Sequence, residues 1–506
     1  MATTGGRKVV DSRMTSQAIT ARTTSRGPAQ LWPVVTLPTS ALVVWAASTG
    51  GEALRWLGLT GLAWAMAIPL LVSLEAGLIG LMVFEPFRGF IRRLQFLFLP
   101  YTQSDPIHVV TPLITAVAFI VLLQRRSLRI LNESPLAKLV SLLGLIYFVQ
   151  IFNPLQGGLA IGFSGALFIL VPVAWFYFGA SVDPRFARRA MYLIVLLSLL
   201  TSLYGIYHLT YGFPHFEQYW LDHTDNYDSI AVGNIKRALA TFSSAEEWGR
   251  YIEIGAIIAF GFGAGSSSQL RRAGWFACGA ALSVMLLFTG QRTAIFGLIL
   301  GVIWLIALGA RTWRGAVVRL ALVLASVLTV GILAKAPTND DVFSRGEDER
   351  FGTVLSHSTR GALSPTKEDS LQERIRTWTY LATDIVPHNP LGLGLGATSL
   401  AVGRTEKDSA LPPIDSYFIS SVITCGLPAA LLFLLILGRA TVMSWRTLRR
   451  DPVDAQVWRV VAALMPVLIL NSLFGNTFTL YSVAPFAWLI VGWISAESAR
   501  AETLVA

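Results

Sequence analysis

Two cysteines among 506 residues are too few for a disulfide framework or a thiolate metal cluster. Both, Cys278 and Cys425, sit inside apolar runs, where they read as inert packing residues. Charge is the second scarcity. Only 14% of the residues are Asp, Glu, Lys or Arg, against about 25% in an average soluble domain, so the chain lacks the polar surface that a water-soluble fold of this length requires. No internal repeat is present, and no pair of Gly/Pro-broken apolar segments stands at matching positions in two halves, as in many transporters. What remains is apolar. Hydrophobic residues make up 54% of the chain, mean hydropathy is +0.58, and the apolar residues come in blocks of about 20, the length over which one helix crosses hydrocarbon with its backbone satisfied.

The blocks lie near 106–123, 136–153, 158–180, 188–212, 250–265, 273–289, 292–310, 315–335, 415–438, 457–475 and 478–495. Residues 33–86 hold two or three more, because Pro69 and Glu75 interrupt a run too long for one span. The expected fold is an all-α polytopic membrane protein of about 12–14 transmembrane helices. Residues 1–30 read as a disordered basic cytoplasmic tail, 31–212 as N-terminal transmembrane helices and 250–335 as central ones. Residues 415–495 read as the C-terminal helices and 496–506 as a second cytoplasmic tail. Between these blocks lie two long segments, 213–249 and 336–414.

Arginine sets the orientation, since short cytoplasmic loops carry the excess of positive charge. Arg125, Arg126 and Arg129, then Arg185, Arg188 and Arg189, then Arg271 and Arg272, then Arg311, Arg314 and Arg319 alternate correctly if each group is cytoplasmic. Both termini are then inside and both long segments outside. Those segments carry net charges of −4 (213–249) and −3 (336–414), leaving +17 for the remainder. The basic excess thus sits where anionic lipid headgroups would be, and nucleic acid is not needed to explain it. One group dissents: Arg88, Arg92 and Arg93 fall outside if 33–86 holds three helices.

Four stretches carry polar function. Arg237 to Glu247 leads into the span near Arg250; Glu246 and Arg250 are four apart and also suit an ordinary helix-surface pair. Arg292 opens a helix, where snorkelling to the interface is the plain alternative. Arg374, Arg376 and Trp378 open an amphipathic helix in the second long segment, which closes in the Gly-rich run His388 to Gly396. Asp415 stands at a helix mouth, where a capping role is equally open.

Together these stretches, from about residue 230 to 435, resemble the O-antigen ligase and polymerase superfamily of bacterial envelope glycan assembly. Arg237 to Glu246 resembles its Arg-x-x-Gly-Thr-Phe block, with Ala240 in place of Gly and Glu in place of the downstream Asn. Gln291 to Ala294 resembles its Ser-Arg-Thr/Gly-Ala helix start. Arg374 to Trp378 with Pro390 to Gly396 resembles its large-loop block, and Asp415 to Gly426 its His/Asp-Asn-x-Tyr/Phe block. The resemblance implies a lipid-dependent glycosyltransferase without metal or other cofactor, a large, partly helical extracytoplasmic loop, and a glycan on undecaprenyl pyrophosphate as substrate. The expected location is the bacterial cytoplasmic membrane, with membrane lipid and other polysaccharide assembly proteins as partners. Ligases onto lipid A core typically have His where this chain has Asp415, so polymerisation of lipid-linked repeat units is the expected reaction. Ligation to another acceptor and export of a polysaccharide or lipid-linked sugar are the alternatives. Asp415 is the expected base, with Glu246 or Glu247 as substitutes. Arg237 and Arg292, then Arg374 and Arg376, with Arg250 and His388, are the expected pyrophosphate and substrate contacts, because guanidinium groups clamp phosphate oxygens without titrating.

The charge segregation yields a direct test. A single cysteine placed near residue 360 is expected to react with a membrane-impermeant maleimide in intact cells; labelling only after the inner leaflet is breached would reverse the topology.

Overall fold

The computed structural model describes residues 51–102, 105–126, 134–224, 231–232, 235–309, 369–398, 411, 414–450 and 454–503. The chain divides into two units, Met1–Thr60 and Gly61–Ala506. Of the first, the described residues begin helix α1 (Gly51–Val72). Ser73 caps α2 (Leu74–Leu94), its hydroxyl accepting from the Ala76 N–H at 3.0 Å. Then come α3 (Ile107–Arg126), α4 (Ala137–Gln150), α5 (Leu159–Ile169), a 3₁₀ turn at Val171–Val173, α6 (Ala174–Ser181), α7 (Pro184–Tyr211) and α8 (His215–His223). A two-residue antiparallel ladder, β1 (Ala231–Val232) with β2 (Ile235–Lys236), precedes α9 (Ala245–Gly265), α10 (Gln269–Phe288) and α11 (Arg292–Gly309). Last come α12 (Asp369–Tyr380) with a π turn at Leu381–Ile385, α13 (Tyr417–Arg449), α14 (Ala455–Phe474) and α15 (Ala484–Thr503).

The fold is an all-α polytopic membrane protein. Seven helical segments among the described residues are long and apolar enough to cross a membrane. α2 and α9 are as long, 21 residues each, but carry ions. The helix expected near 315–335 lies outside the described residues. Large apolar side chains such as Leu196, Leu200 and Leu203 along α7 are exposed, the surface that lipid covers. Several boundaries differ from expectation: the stretch 213–249 contains a helix of its own, α8; α13 runs on to Arg449 rather than ending near 438; α15 spans Ala484–Thr503 rather than 478–495; and α9 starts at Ala245 rather than near Arg250. Ser244 makes the earlier start possible, since its hydroxyl caps the Glu247 N–H at 3.1 Å.

The two ends of the bundle have different chemistry. At one end Glu75 accepts from the Asp183 N–H at 3.0 Å and lies 3.7 Å from Arg189, while Arg188 pairs with Asp454. At the other end α2 delivers Arg88, Arg92 and Arg93 to the 213–249 segment. Arg88 lies 3.4 Å from Glu247, Arg92 3.7 Å from Asp105 and Arg93 2.7 Å from Glu217. The dissenting arginines are therefore not a surface signal for lipid headgroups; internal carboxylates hold them.

α13 breaks at Gly426, whose φ of +83° is left-handed. Pro428 has no N–H to offer the Thr424 carbonyl four residues back, so the break exposes acceptors within an apolar bundle. The Gly-rich run repairs it. The Leu393 and Gly394 N–H groups donate to the Ile423 and Thr424 carbonyls at 2.8 and 3.0 Å, and Leu395 N–H donates to the Gln150 carbonyl at 3.1 Å. Gly392 has a φ of +91°, and a Cβ there would meet the Thr424 carbonyl oxygen at 2.5 Å. Gly392→Ala is therefore expected to destabilise the protein by about 1–3 kcal/mol through left-handed strain and collision. Gly438→Ala, where a Cβ meets nothing within 4 Å, should leave detergent melting unchanged or slightly raised.

Candidate anion site at the loop end of the bundle

The residues after β2 form a turn that docks on α2 and then enters α9. Gly89 makes the docking possible, because a Cβ there would lie 2.5 Å from the Phe242 carbonyl carbon. Thr241 reaches one helical turn twice: its hydroxyl donates to the Pro86 carbonyl at 2.5 Å, and its carbonyl accepts from the Phe90 N–H at 2.7 Å. Phe242 is buried beside Tyr251, with ring centroids 5.3 Å apart. Thr and Phe of the Arg237 block thus serve docking, and the turn presents Arg237.

Arg237 is half-buried, and its Nε has no hydrogen-bond partner among the described residues. Burial first, and the positive charge of Arg292 second, pull its guanidinium below its ordinary pKa, with Glu246 opposing them. Arg292, the first residue of α11, in turn feels the charge of Arg374 on α12. Arg374 Nη2 lies 3.1 Å from Asp415 Oδ2, in a pair whose side chains are 36% and 56% exposed. A series of neighbours thus runs from Glu246 and Arg237 through Arg292 to Arg374 and Asp415. The capping alternative for Asp415 fails on geometry: Ser416 is the N-cap of α13 and accepts from the Ile419 N–H at 3.3 Å. Asn476 secures the approach by donating to the Ile414 carbonyl at 2.8 Å. Trp378 lies with its ring 6.1 Å from that of Phe474, seating α12 on the end of α14.

Other expected residues lie elsewhere. Arg250 is fully buried; it donates to Asn471 Oδ1 and to Thr293 Oγ1 (2.6 Å), and lies 3.6 Å from Glu253 and 3.9 Å from Glu246. It is an internal tie among α9, α11 and α14 rather than half of a surface pair. Glu247 is buried against α2, accepting from the Ser243 N–H at 3.2 Å and facing Arg88. Arg376 and His388 are exposed, with His388 Nδ1 2.7 Å from the Asp384 carbonyl; neither joins an ion pair among the described residues.

A second group of ions was not singled out as a site. Glu85 lies 2.9 Å from Arg88, Arg88 Nη1 2.5 Å from His108 Nδ1, and Glu217 2.6 Å from His208. Burial would raise the Glu217 carboxyl, but the His208 hydrogen bond and the Arg93 charge outweigh it and lower its pKa. The signal was present as Glu85, Arg88 and Arg92 at helical spacing within an apolar stretch, where an ion is by default functional. Among the described residues no group of three or more His, Cys, Asp or Glu is arranged to hold a metal ion.

Residues 277–434 match the O-antigen ligase family. No curated protein matches the chain. The matched span contains Arg292, Arg374, Arg376, His388 and Asp415, whereas Arg237, Glu246, Glu247 and Arg250 precede it.

The geometry separates fully buried from partly exposed arginines. Arg250→Ala strands Glu253 and Asn471 in the bundle and is expected to cost about 3–5 kcal/mol, visible as lost monodisperse protein. Arg374→Ala breaks a partly exposed pair and should cost about 0–1 kcal/mol, with detergent melting near wild type.

Proposed function

For a multi-pass membrane protein that carries an O-antigen ligase domain, we propose polymerisation of undecaprenyl pyrophosphate-linked oligosaccharide repeat units at the outer leaflet of the cytoplasmic membrane. Both termini are cytoplasmic in this reading, and the segments 213–249 and 336–414 are extracytoplasmic. The observation that carries it is the pair Arg237 and Arg292. Two guanidinium groups repel each other in a partly buried place, and a buried N–H of one lacks a partner among the described residues. Such an arrangement is costly unless an anion with several acceptor oxygens fills it, and pyrophosphate is such an anion.

The reaction then assigns itself to atoms. An acceptor sugar hydroxyl attacks the anomeric carbon of the donor glycan. The bond from that carbon to the pyrophosphate oxygen breaks, and undecaprenyl pyrophosphate leaves with the electron pair. Arg237 and Arg292 hold the leaving group as its negative charge grows, which lowers the barrier only because the donors are already in place. Asp415 takes the hydroxyl proton. Arg374 links the two halves: when phosphate oxygens arrive it can exchange Asp415 for them, freeing the carboxylate to act as a base at the moment the donor is bound. Glu246 orients Arg237, and Arg250 fixes the helices beneath. Other polysaccharide assembly proteins supply the lipid-linked unit and take up the polymer. Ligation is the second reading and differs only in the acceptor; Asp415, where ligases of the resembling superfamily typically have His, favours polymerisation.

Arg237→Ala and Arg292→Ala are each expected to lower polymer output by about 10²–10³-fold at equal membrane abundance, through loss of leaving-group stabilisation. Asp415→Asn should lower it by about 10²–10⁴-fold while keeping shape and melting. Gel profiles of lipid-linked glycan from cells expressing each variant read the result. Normal chain lengths from well-expressed Asp415→Asn would transfer the base to Glu246.

A further inference from the structure

Arg93 is 1% exposed, and its guanidinium bridges the turn that presents Arg237 to α8. Nη2 donates to the Ala240 carbonyl at 2.6 Å, Nη1 donates to the Phe242 carbonyl, and Nε meets Glu217 at 2.7 Å. Trp220 covers it, with its ring centroid 5.8 Å from the guanidinium carbon. The carbonyl it holds belongs to Ala240, whose φ of +49° is the one positive value of a non-glycine residue among the described residues. A left-handed alanine costs about 1–2 kcal/mol and persists only where its surroundings impose it. Glu217 itself lies 2.6 Å from His208, so a chain of buried polar groups from α7 through α8 to α2 ends on two carbonyls of one turn.

We propose that Arg93 is a positioning residue for Arg237: by clamping the Ala240 and Phe242 carbonyls it sets the turn that aims the Arg237 guanidinium at the pyrophosphate. This rests on the anion-binding role given to Arg237 above. The alternative use of Arg93, as a phosphate contact in its own right, is disfavoured by its burial and by the engagement of all three of its nitrogens. Lysine cannot replace it, because one ammonium cannot span two carbonyls and a carboxylate in a fixed planar fan. Thr241 supports the same turn from the other side through Pro86 and Phe90.

The test is a double-mutant cycle on full-length protein in nanodiscs, with undecaprenyl pyrophosphate as the probe and its Kd as the readout. Arg237→Ala, Arg93→Lys and Thr241→Val are each expected to weaken binding by about tenfold, the loss of one charge-assisted contact. Thr241→Ser, which keeps the hydroxyl, should restore it. Combined with Arg237→Ala, neither Arg93→Lys nor Thr241→Val should weaken binding by more than about twofold further, because both act through the missing guanidinium. Amide hydrogen exchange in 238–243 should rise in Arg93→Lys and Thr241→Val and stay as wild type in Arg237→Ala. If Arg93→Lys misfolds, the Thr241 series carries the cycle alone. Full additivity with Arg237→Ala would overturn the proposal while leaving the Arg237 site standing. Wild-type affinity in Arg237→Ala would remove the site itself, and the proposal with it.

Discussion

A charge in hydrocarbon needs a partner, and most of this architecture follows from how that demand is met. Arg88, Arg93 and Arg250 are buried, and each has a carboxylate within 3.6 Å. Because Arg88 with Glu247 and Arg93 with Glu217 join α2 to the 213–249 segment, and Arg250 and Glu253 of α9 both hydrogen-bond Asn471 of α14, ions that are costly in isolation become the ties that fix where loops sit on the bundle. Apolar packing alone would leave α2 free to rotate or slide, since lipid tails are as apolar as leucine. Buried ion pairs remove that freedom by allowing one register.

Against that background the Arg237 and Arg292 neighbourhood stands apart. Here a half-buried cation, Arg237, lies beside the charge of Arg292, with Glu246 opposing it. In the proposed reaction such a place holds binding free energy in reserve: a phosphate would relieve the repulsion, and the relief would grow with the negative charge of the leaving group, favouring the transition state over the bound donor. Arg374 and Asp415 behave differently because they are half in water, where their pairing costs little to break.

The membrane class and the placement of most helices were legible in the chain, because apolar run length is a one-dimensional signal. Which polar residues become neighbours is not. Spacing shows that Glu246 and Arg250 share a helix face, but not that Asn471 and Thr293 close over Arg250. For the same reason Glu247 could not be told from Glu246, though one turns to Arg88 and the other to Arg250. Arg88, Arg92 and Arg93 were weighed as topological markers, since a count of positive charge carries no information about partners 124 or more positions away, such as Glu217. The Gly-rich run was recognisable as a turn; that it repairs a broken helix depends on Gly426 and Pro428 arriving opposite it.

Two positions with left-handed backbone, 392 and 240, fare differently here, and the difference follows from their surroundings. At Gly392 the left-handed backbone lies against the Thr424 carbonyl, so a side chain would meet both torsional strain and a fixed atom. At position 240 the superfamily's glycine is absent and alanine takes φ +49°. The torsional cost there, about 1–2 kcal/mol, is of the same size as one charge-assisted hydrogen bond to a carbonyl, and Arg93 supplies two to this turn. Alanine also surrenders less backbone entropy than glycine on folding. A residue that looks like a departure from the pattern is therefore consistent with it, provided the buried arginine on α2 stays, and the loss of glycine at 240 ties the turn more closely to Arg93 than glycine would.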